Sequence, residues 1–521
     1  MKLDTVNLKR NEWITIIAVT LLFMMKGAGL YDGQKIFACL LIGVFVLLAA
    51  KFAGETFGVG EIAVYLVLGG IALYNYYLSR DKGLLLCFCM ILLVKNVNID
   101  YLIKSAAVSF GVFGLLRAVV SAIGIAEHKV LLHDKLGGEI IRYSFGQPHP
   151  NVMHMTYLVF CCMVLFCLQT DKRRLFFWNV LFVVGNVILF VYTVSFTGAL
   201  LGVLLFFFVF IFVYFPRVLL WDWIFSFGIL LGTVAYSVIF PCIINYDNEI
   251  TQSLLWSLYN RFRLLNSYFS SYPITMWGQN ILDLSKVNYQ LDNSWATLLL
   301  GSGTVIFGIM LFFYGVGLYY LLKQGRKLEV YIVLLLLIGG LSDPFLFNTS
   351  LKNIGLLFLG SAIYSTLCGN EENKIVVFRK WNRFLNQYVK IKMPVWTDSI
   401  KLSGRKVVLE GIAALVVSLC IMQLIHMPKM YCVSGVDPMR EGVSIEEVYV
   451  TQEMLDDSSI RVYSYRDSQT PMWMVDSERV RVIEYGRMLI AICLISFGVI
   501  CFLESCIRKK GNLLCRSNGE Q

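Results

Sequence analysis

Between Arg174 and Arg217 the chain carries no charged residue. Wound as a helix, that stretch would run roughly 60 Å, about twice the hydrocarbon thickness of a bilayer. It must therefore fold back on itself inside an apolar medium, as spans over 175–195 and 198–214. The rest of the chain agrees: 57% of its 521 residues are hydrophobic and 15% charged, where a soluble protein is about a quarter charged. Mean hydropathy is +0.68. Soluble enzymes, nucleic-acid factors and disordered scaffolds are excluded.

The apolar runs are continuous rather than alternating, which favours helices over barrel strands. Backbone polar groups in hydrocarbon must be satisfied within the segment. The expected fold is an all-α polytopic membrane protein of about fourteen transmembrane helices by the twenty-residue rule. They fall near 12–30, 36–50, 61–78, 83–95, 105–126, 151–169, 175–195, 198–214, 218–242, 294–322, 328–347, 352–368, 407–427 and 486–504. No small-residue cleavage pattern follows the first run, so it is expected to remain a span.

Net charge is +10, and its distribution indicates topology rather than nucleic acid. Lys172-Arg173-Arg174, Arg217, Lys323, Arg326, Lys327, the stretch Lys374–Lys406 and Arg508-Lys509-Lys510 fall on one side if the N-terminus is cytoplasmic. Both termini are then expected in the cytoplasm. The 14 cysteines lie mostly in spans or on the inner side, as small apolar residues. Cys242 and Cys432 face outward, and a bridge between them is left open. No CxxC, zinc or P-loop pattern occurs, and neither cofactor nor metal is expected.

The division reads as a core over 1–370 with outer loops 127–151 and 243–293, and a basic amphipathic linker over 371–406. A tail over 407–521 has two further spans around an outer region, 428–485. The linker is expected as a helix on the anionic inner leaflet. Residues 460–465 alternate like a strand, forming a small extracytoplasmic cap.

The first outer loop ends R-Y-S-F-G-Q-P-H-P-N-V-M-H over 142–154. Asn151 is expected to cap the next helix, whose N-terminus would face an anion. Arg142 adds a fork for phosphate oxygens, and His149 and His154 titrate near neutrality. In the second loop Leu254, Leu258, Phe262, Leu265 and Phe269 share a helical face within about 100° of arc, expected to rest on the outer leaflet. Arg261 borders that face and Arg263 points away. Asp292 and Asn293 open the next span, where Asp292 is either a helix cap or a proton acceptor. Arg117 and Lys26 lie within spans and are candidates because charge is costly there, with Asp343 the counter-ion nearest in depth.

These residues resemble the O-antigen ligase and Wzy-type polysaccharide polymerase superfamily, especially Gram-positive capsular and exopolysaccharide polymerases. The likeness rests on four motifs in order: RYSFGQPHPN with a following His154, YTVSFTG over 192–198, YPITMWGQ over 272–279 after an arginine, and DNSWATLLLGSG over 292–303. It covers roughly residues 10–368 and implies a twelve-helix core of GT-C-like architecture plus two extra helices. The implied activity is polymerisation of undecaprenyl-diphosphate-linked oligosaccharide repeat units on the outer face of a bacterial plasma membrane.

By the same resemblance Arg142 and Arg261 hold the donor diphosphate, His154 stands where many relatives have glycine or histidine and Asp292-Asn293 takes the HN or DN position; Asp292, His154 and, from its own chemistry, His149 are the catalytic candidates. Asn151, Arg263, Asn293 and Arg117 are further candidates for substrate contact, read from their positions in the loops and spans. Partners would be the lipid-linked donor and acceptor, the bilayer, a flippase and a chain-length regulator, and no nucleic acid. Two positions depart from the pattern: ligases usually have histidine at Asp292, and relatives usually have arginine where Phe196 stands. A ligase transferring a finished glycan to a lipid, wall or protein acceptor is the alternative within this chemistry. A transporter or flippase is the alternative outside it.

Overall fold

The computed structural model describes residues 3–122, 130–135, 138–246, 248, 259–281, 291–367, 374–376, 378–394, 404–424, 463–465, 472–474, 482 and 485–501. The chain is a mostly helical, multi-pass membrane protein: among the described residues eight helices are long and apolar enough to cross a membrane. In chain order the helices are α1 (Arg10–Gly27), α2 (Lys35–Ala53), α3 (Val59–Ser79), α4 (Gly83–Leu93), α5 (Ile99–Ala122), α6 (Pro150–Cys167), α7 (Lys172–Thr193) and α8 (Phe196–Tyr214). They continue with α9 (Leu220–Ile243), α10 (Tyr259–Ser271), α11 (Ser294–Lys323), α12 (Lys327–Gly339), α13 (Gly355–Leu367), α14 (Arg379–Leu385), α15 (Gly404–Leu424) and α16 (Tyr485–Cys501).

Eight falls short of the expected fourteen, although every expected span coincides with a helix. Of the others, α1 retains Arg10, Glu12 and Lys26. Helices α4 and α12 have 11 and 13 residues, roughly 16–20 Å, too short to cross alone. For α12 the packing supplies the reason. It is buried along almost its whole length, with Ile332, Val333, Leu334, Leu335 and Leu337 at 0% exposure. It is a central post among α6, α8, α9, α11 and α13, surrounded by protein and under no demand to match lipid thickness.

Successive long helices run antiparallel, so their connections sort to two ends. One, the loop end, carries residues 28–34, 80–82, 130–135, 138–149, 244–246, 259–281, 291–293 and 340–354. The opposite end carries a clasp. There β1 (Leu3–Lys9) pairs antiparallel with β6 (Tyr388–Pro394), and β2 (Thr56–Gly58) with β5 (Lys374–Val376). The expected inner-leaflet helix over 371–406 is therefore corrected: only Arg379–Leu385 is described as helix, and the next segment is a strand. The register pairs Val6 with Ile391 and Leu8 with Val389, and β-branched residues at alternate positions suit a ribbon. Helix α14 is tied to the core, since Trp381 Nε1 donates to Ala50 O (2.7 Å) and Asn382 Nδ2 to Gly54 O (2.6 Å).

Two more ribbons, β3 (Val130–Lys135) with β4 (Gly138–Tyr143) and β7 (Tyr463–Tyr465) with β8 (Met472–Met474), complete the strands among the described residues. The expected strand at 460–465 is described from Tyr463 on, and β7 lies beside β3. The all-α expectation is thus amended by peripheral two-stranded ribbons. Cys242 is exposed and unbridged, and Cys432 lies outside the described residues.

Candidate functional site at the loop end

Charge is distributed unequally between the ends. Of the five ion pairs among the described residues, four lie at the clasp end: Lys95–Glu61, Arg174–Asp171, Arg326–Glu329 and Lys327–Asp222. There Lys51 Nζ also donates to Leu93 O (2.6 Å) and Lys95 O (2.9 Å), carbonyls at the C-terminus of α4. At the loop end only the exposed pair Lys82–Asp32 is formed. Lys26, Arg117, Arg142, Arg261 and Lys352 all lie at this end. Among the described residues none of them has a carboxylate within ion-pairing distance.

The first loop is built around its turn. Phe145 and Gly146 take left-handed backbone angles, φ 48° and 80°. Arg117 Nε donates to Gly146 O (2.9 Å) and Gln147 Nε2 to Gly27 O (3.3 Å), fastening the turn to α5 and α1. His149, not Asn151, caps α6: its Nδ1 accepts the Asn151 N–H (3.1 Å). Asn151 is one step inside the helix, and its Oδ1 accepts from Arg142 Nη2. Arg142 Nε donates to Thr193 O (2.7 Å), a carbonyl at the C-terminal end of α7. Arg142 is only 3% exposed. It braces β4 against α6 and α7 and does not lie open to a diphosphate as expected.

His154 is also corrected. It is fully buried, with Nδ1 against Thr193 Oγ1 (3.1 Å) and Nε2 against Asn186 Oδ1 (2.7 Å). Both ring nitrogens are engaged, and Gly198 of α8 lies on the ring so closely that a Cβ there would collide with it. A proton acceptor for substrate needs a free nitrogen, and His154 has none. The YTVSFTG motif thus supplies Thr193 and Gly198 to a buried helix junction. Phe196 stands outside it, 47% exposed and edge-on to Phe190.

The second loop is pinned to α11. Asn293 caps that helix, its Oδ1 accepting from Ala296 N (2.9 Å) while its Nδ2 donates to Leu341 O (3.2 Å). Asn293, not Asp292, is therefore the cap. Ser294 Oγ donates to Asp343 O (2.7 Å) and accepts from Leu346 N (3.2 Å), bringing the 340–346 turn alongside. Upstream, α10 buries Phe262, Leu265 and Tyr268 against α9 and α11, with Phe262 4.7 Å from the Tyr236 ring. Its apolar face packs on protein, not on a leaflet as expected; Leu254 and Leu258 lie outside the described residues. Arg261 and Arg263 are exposed.

The motif YPITMWGQ is inserted beside a π-turn in α11 (Leu298–Ser302). Gln279 N donates to Gly301 O (3.0 Å), and Thr304 N to Thr275 O (3.0 Å). Gly278 and Gly303 meet here at φ 96° and 86°. A Cβ on Gly303 would sit 2.5 Å from Gly278 N and from Met276 O. The two glycine motifs form one lock.

Asp292 is the group whose surroundings change its chemistry. It keeps contact with solvent, yet crowding by protein, and then the charge of Asp343, push its carboxyl up to about 6, against the pull of Arg261. Asp343 in turn faces Lys352, and Lys352 Nζ donates to Val152 O (3.2 Å), next to Asn151. Arg261, Asp292, Asp343, Lys352, Asn151 and Arg142 therefore form one connected seam. Asp343 was expected to answer Lys26 or Arg117. Instead Arg117 holds the turn, and Lys26 lies over the Phe37 ring (4.1 Å to its centre).

Lys352 is the residue the sequence did not single out. It follows Leu351 at φ 57° and gains meaning only from packing. Among the described residues no group of three or more His, Cys, Asp or Glu is placed to hold a metal. A search of known protein families, curated proteins and solved structures finds none that matches the chain.

Proposed function

We propose that the chain is a membrane glycosyltransferase. In this reading it joins undecaprenyl-diphosphate-linked oligosaccharide repeat units into a surface polysaccharide, in a GT-C-like architecture with the loop end facing outward from a bacterial plasma membrane. The observation that carries the reading is the gathering at the loop end of cations that make no close ion pair, Arg261 among them, beside Asp292, whose carboxyl is pushed up to about 6. Cations at a membrane face that are not locked into close ion pairs favour an anionic ligand. A diphosphate leaving group needs that charge most as it departs.

Arg261 is exposed and its charge is felt by Asp292, so in this reading it is the side chain that reaches the diphosphate. Arg142 acts behind it as a positioning residue. Asp292 takes the proton of the attacking hydroxyl. A bond forms between that oxygen and the donor's anomeric carbon. The bond from that carbon to the diphosphate oxygen breaks, and its electron pair leaves on the diphosphate. Direct displacement inverts the carbon.

The test is purified protein with lipid-diphosphate oligosaccharide and sizing of the products. A ladder of repeat units is expected, and Arg261→Ala should abolish it while leaving membrane insertion intact. A single transfer to a different acceptor would make the enzyme a ligase. No transfer at all, or a normal ladder from Arg261→Ala, refutes the assignment.

A further inference from the structure

At the clasp end the short helix α14 lies against the C-terminal turn of α2 and leaves a groove beside it. The groove is open, about 550 Å³, and is lined by Ala50, Ala53, Phe378, Lys380, Trp381 and Phe384. Its walls are fixed. Trp381 and Asn382 occupy the carbonyls of Ala50 and Gly54, which masks the negative end of the α2 dipole. Gly54 lies so close to Leu385 that a Cβ there would collide with it. The Trp381 and Phe384 rings stack with centres 5.0 Å apart. The Arg10 guanidinium sits 4.0 Å above Phe384 and donates to Gln387 Oε1 (2.7 Å).

Two properties of the groove point to the same occupant. The first is charge. Arg379, Lys380 and Arg383 are exposed, and among the described residues no carboxylate pairs with them. Glu55, one residue past Gly54, is turned inward and buried, accepting from Asn11 and Asn96. The second is continuity with lipid. Ile42, Val46, Ala49 and Ala53 share one face of α2, within about 60° of arc, and Ile42 and Val46 are each 62% exposed. Helix α2 is long and apolar enough to cross the membrane, so this stripe is covered by acyl chains. From Ile42 to Ala53 it runs roughly 16 Å, about the depth of one leaflet. An acyl chain on the stripe therefore ends where Lys380, Trp381 and Phe384 begin, and that succession of apolar, aromatic and basic groups is the one a membrane interface selects.

We propose that the groove seats the headgroup of one anionic phospholipid from the leaflet at the clasp end, with its phosphate on Lys380 and an acyl chain along the α2 stripe. Arg379 and Arg383 add attraction from the rim, and the Trp381–Phe384 pair packs on the glycerol backbone. A zwitterionic phospholipid would meet the same apolar floor but bring its own cation, so the groove selects by charge. The bound lipid bridges α14 and α2, whatever reaction the loop end carries out.

The test uses the full chain in phosphatidylcholine nanodiscs, with rising mole fractions of phosphatidylglycerol brominated in its upper acyl chain. The part of the tryptophan quenching that disappears in Trp381→Phe reports the groove. Brominated phosphatidylcholine should need a several-fold higher mole fraction to quench it equally. Lys380→Gln should raise the half-quenching fraction of phosphatidylglycerol by about fivefold, the worth of one basic residue at an anionic surface, and Lys380→Arg should restore it. Ala53→Leu keeps every charge and fills the floor, so it should also weaken the quenching. Equal quenching by the two lipids, or no change in Lys380→Gln, would overturn the proposal. A charge effect that Ala53→Leu leaves untouched would reduce the cations to diffuse surface attraction, and overturn it too. So would a Trp381 shielded from both lipids in a protein that runs as a dimer, which would give this face to a second copy of the chain.

Discussion

The sharpest consequence of the seam concerns pH. If Asp292 is the base, only its ionised form works, and its carboxyl titrates at about 6. The ionised fraction is then about a tenth at pH 5 and about nine tenths at pH 7, so the transfer rate should rise almost tenfold between them. Asp292→Asn should erase that limb and lower the rate by about 10² to 10⁴. Arg261 pulls the carboxyl down, so Arg261→Ala should move any residual limb to higher pH. The assay is initial rate of lipid-diphosphate release against pH in detergent. A flat profile from pH 5 to 7, or a full rate in Asp292→Asn, refutes the reasoning. The effect on folding has the opposite sign. The folded protein holds this proton more tightly than the unfolded chain between about pH 4 and 6, so this group makes the fold less stable as pH rises through that window.

Gly303→Ala should lower stability by about 2–4 kcal/mol, from its left-handed backbone and the collision with Gly278 and Met276. Gly315→Ala, where a Cβ meets nothing within 4 Å, should be neutral or better; thermal unfolding in detergent compares the two. His154→Ala should cost about 2–4 kcal/mol by stranding Asn186 and Thr193, while the acid limb stays near pH 6; loss of the limb would restore His154 as the base. Lys95→Met should cost about 3–5 kcal/mol by leaving Glu61 buried and uncompensated, and Lys95→Met with Glu61→Gln should recover part of it.

The helices were legible because hydrocarbon imposes one rule on every long apolar run, and 175–214 obeys it plainly. What separates a crossing helix from an internal post was not legible. The stretch Leu328–Gly339 reads as lipid-facing, yet it is surrounded by protein. The caps were confused for a local reason. Asp292-Asn293 and His149-Pro-Asn151 each offer neighbouring cap formers, and one residue of register decides which is free. The clasp was missed because its alternation is short and its strands lie at opposite ends of the core sequence. His154 looked reactive because its partners, Asn186 and Thr193, lie one helix away and carry no charge to announce them.

The pairing of Leu3–Lys9 with Tyr388–Pro394 also sets an order of events in the life of the chain. The Leu3–Lys9 strand has its mate only after more than a dozen helices' worth of sequence has followed it. Until then it presents an open edge. The clasp therefore closes only after the helices it fastens have been made, and a chain truncated before Tyr388 would retain most of its bundle yet display an unpaired strand, a molecular sign of incompleteness at the surface where quality-control proteases can grip.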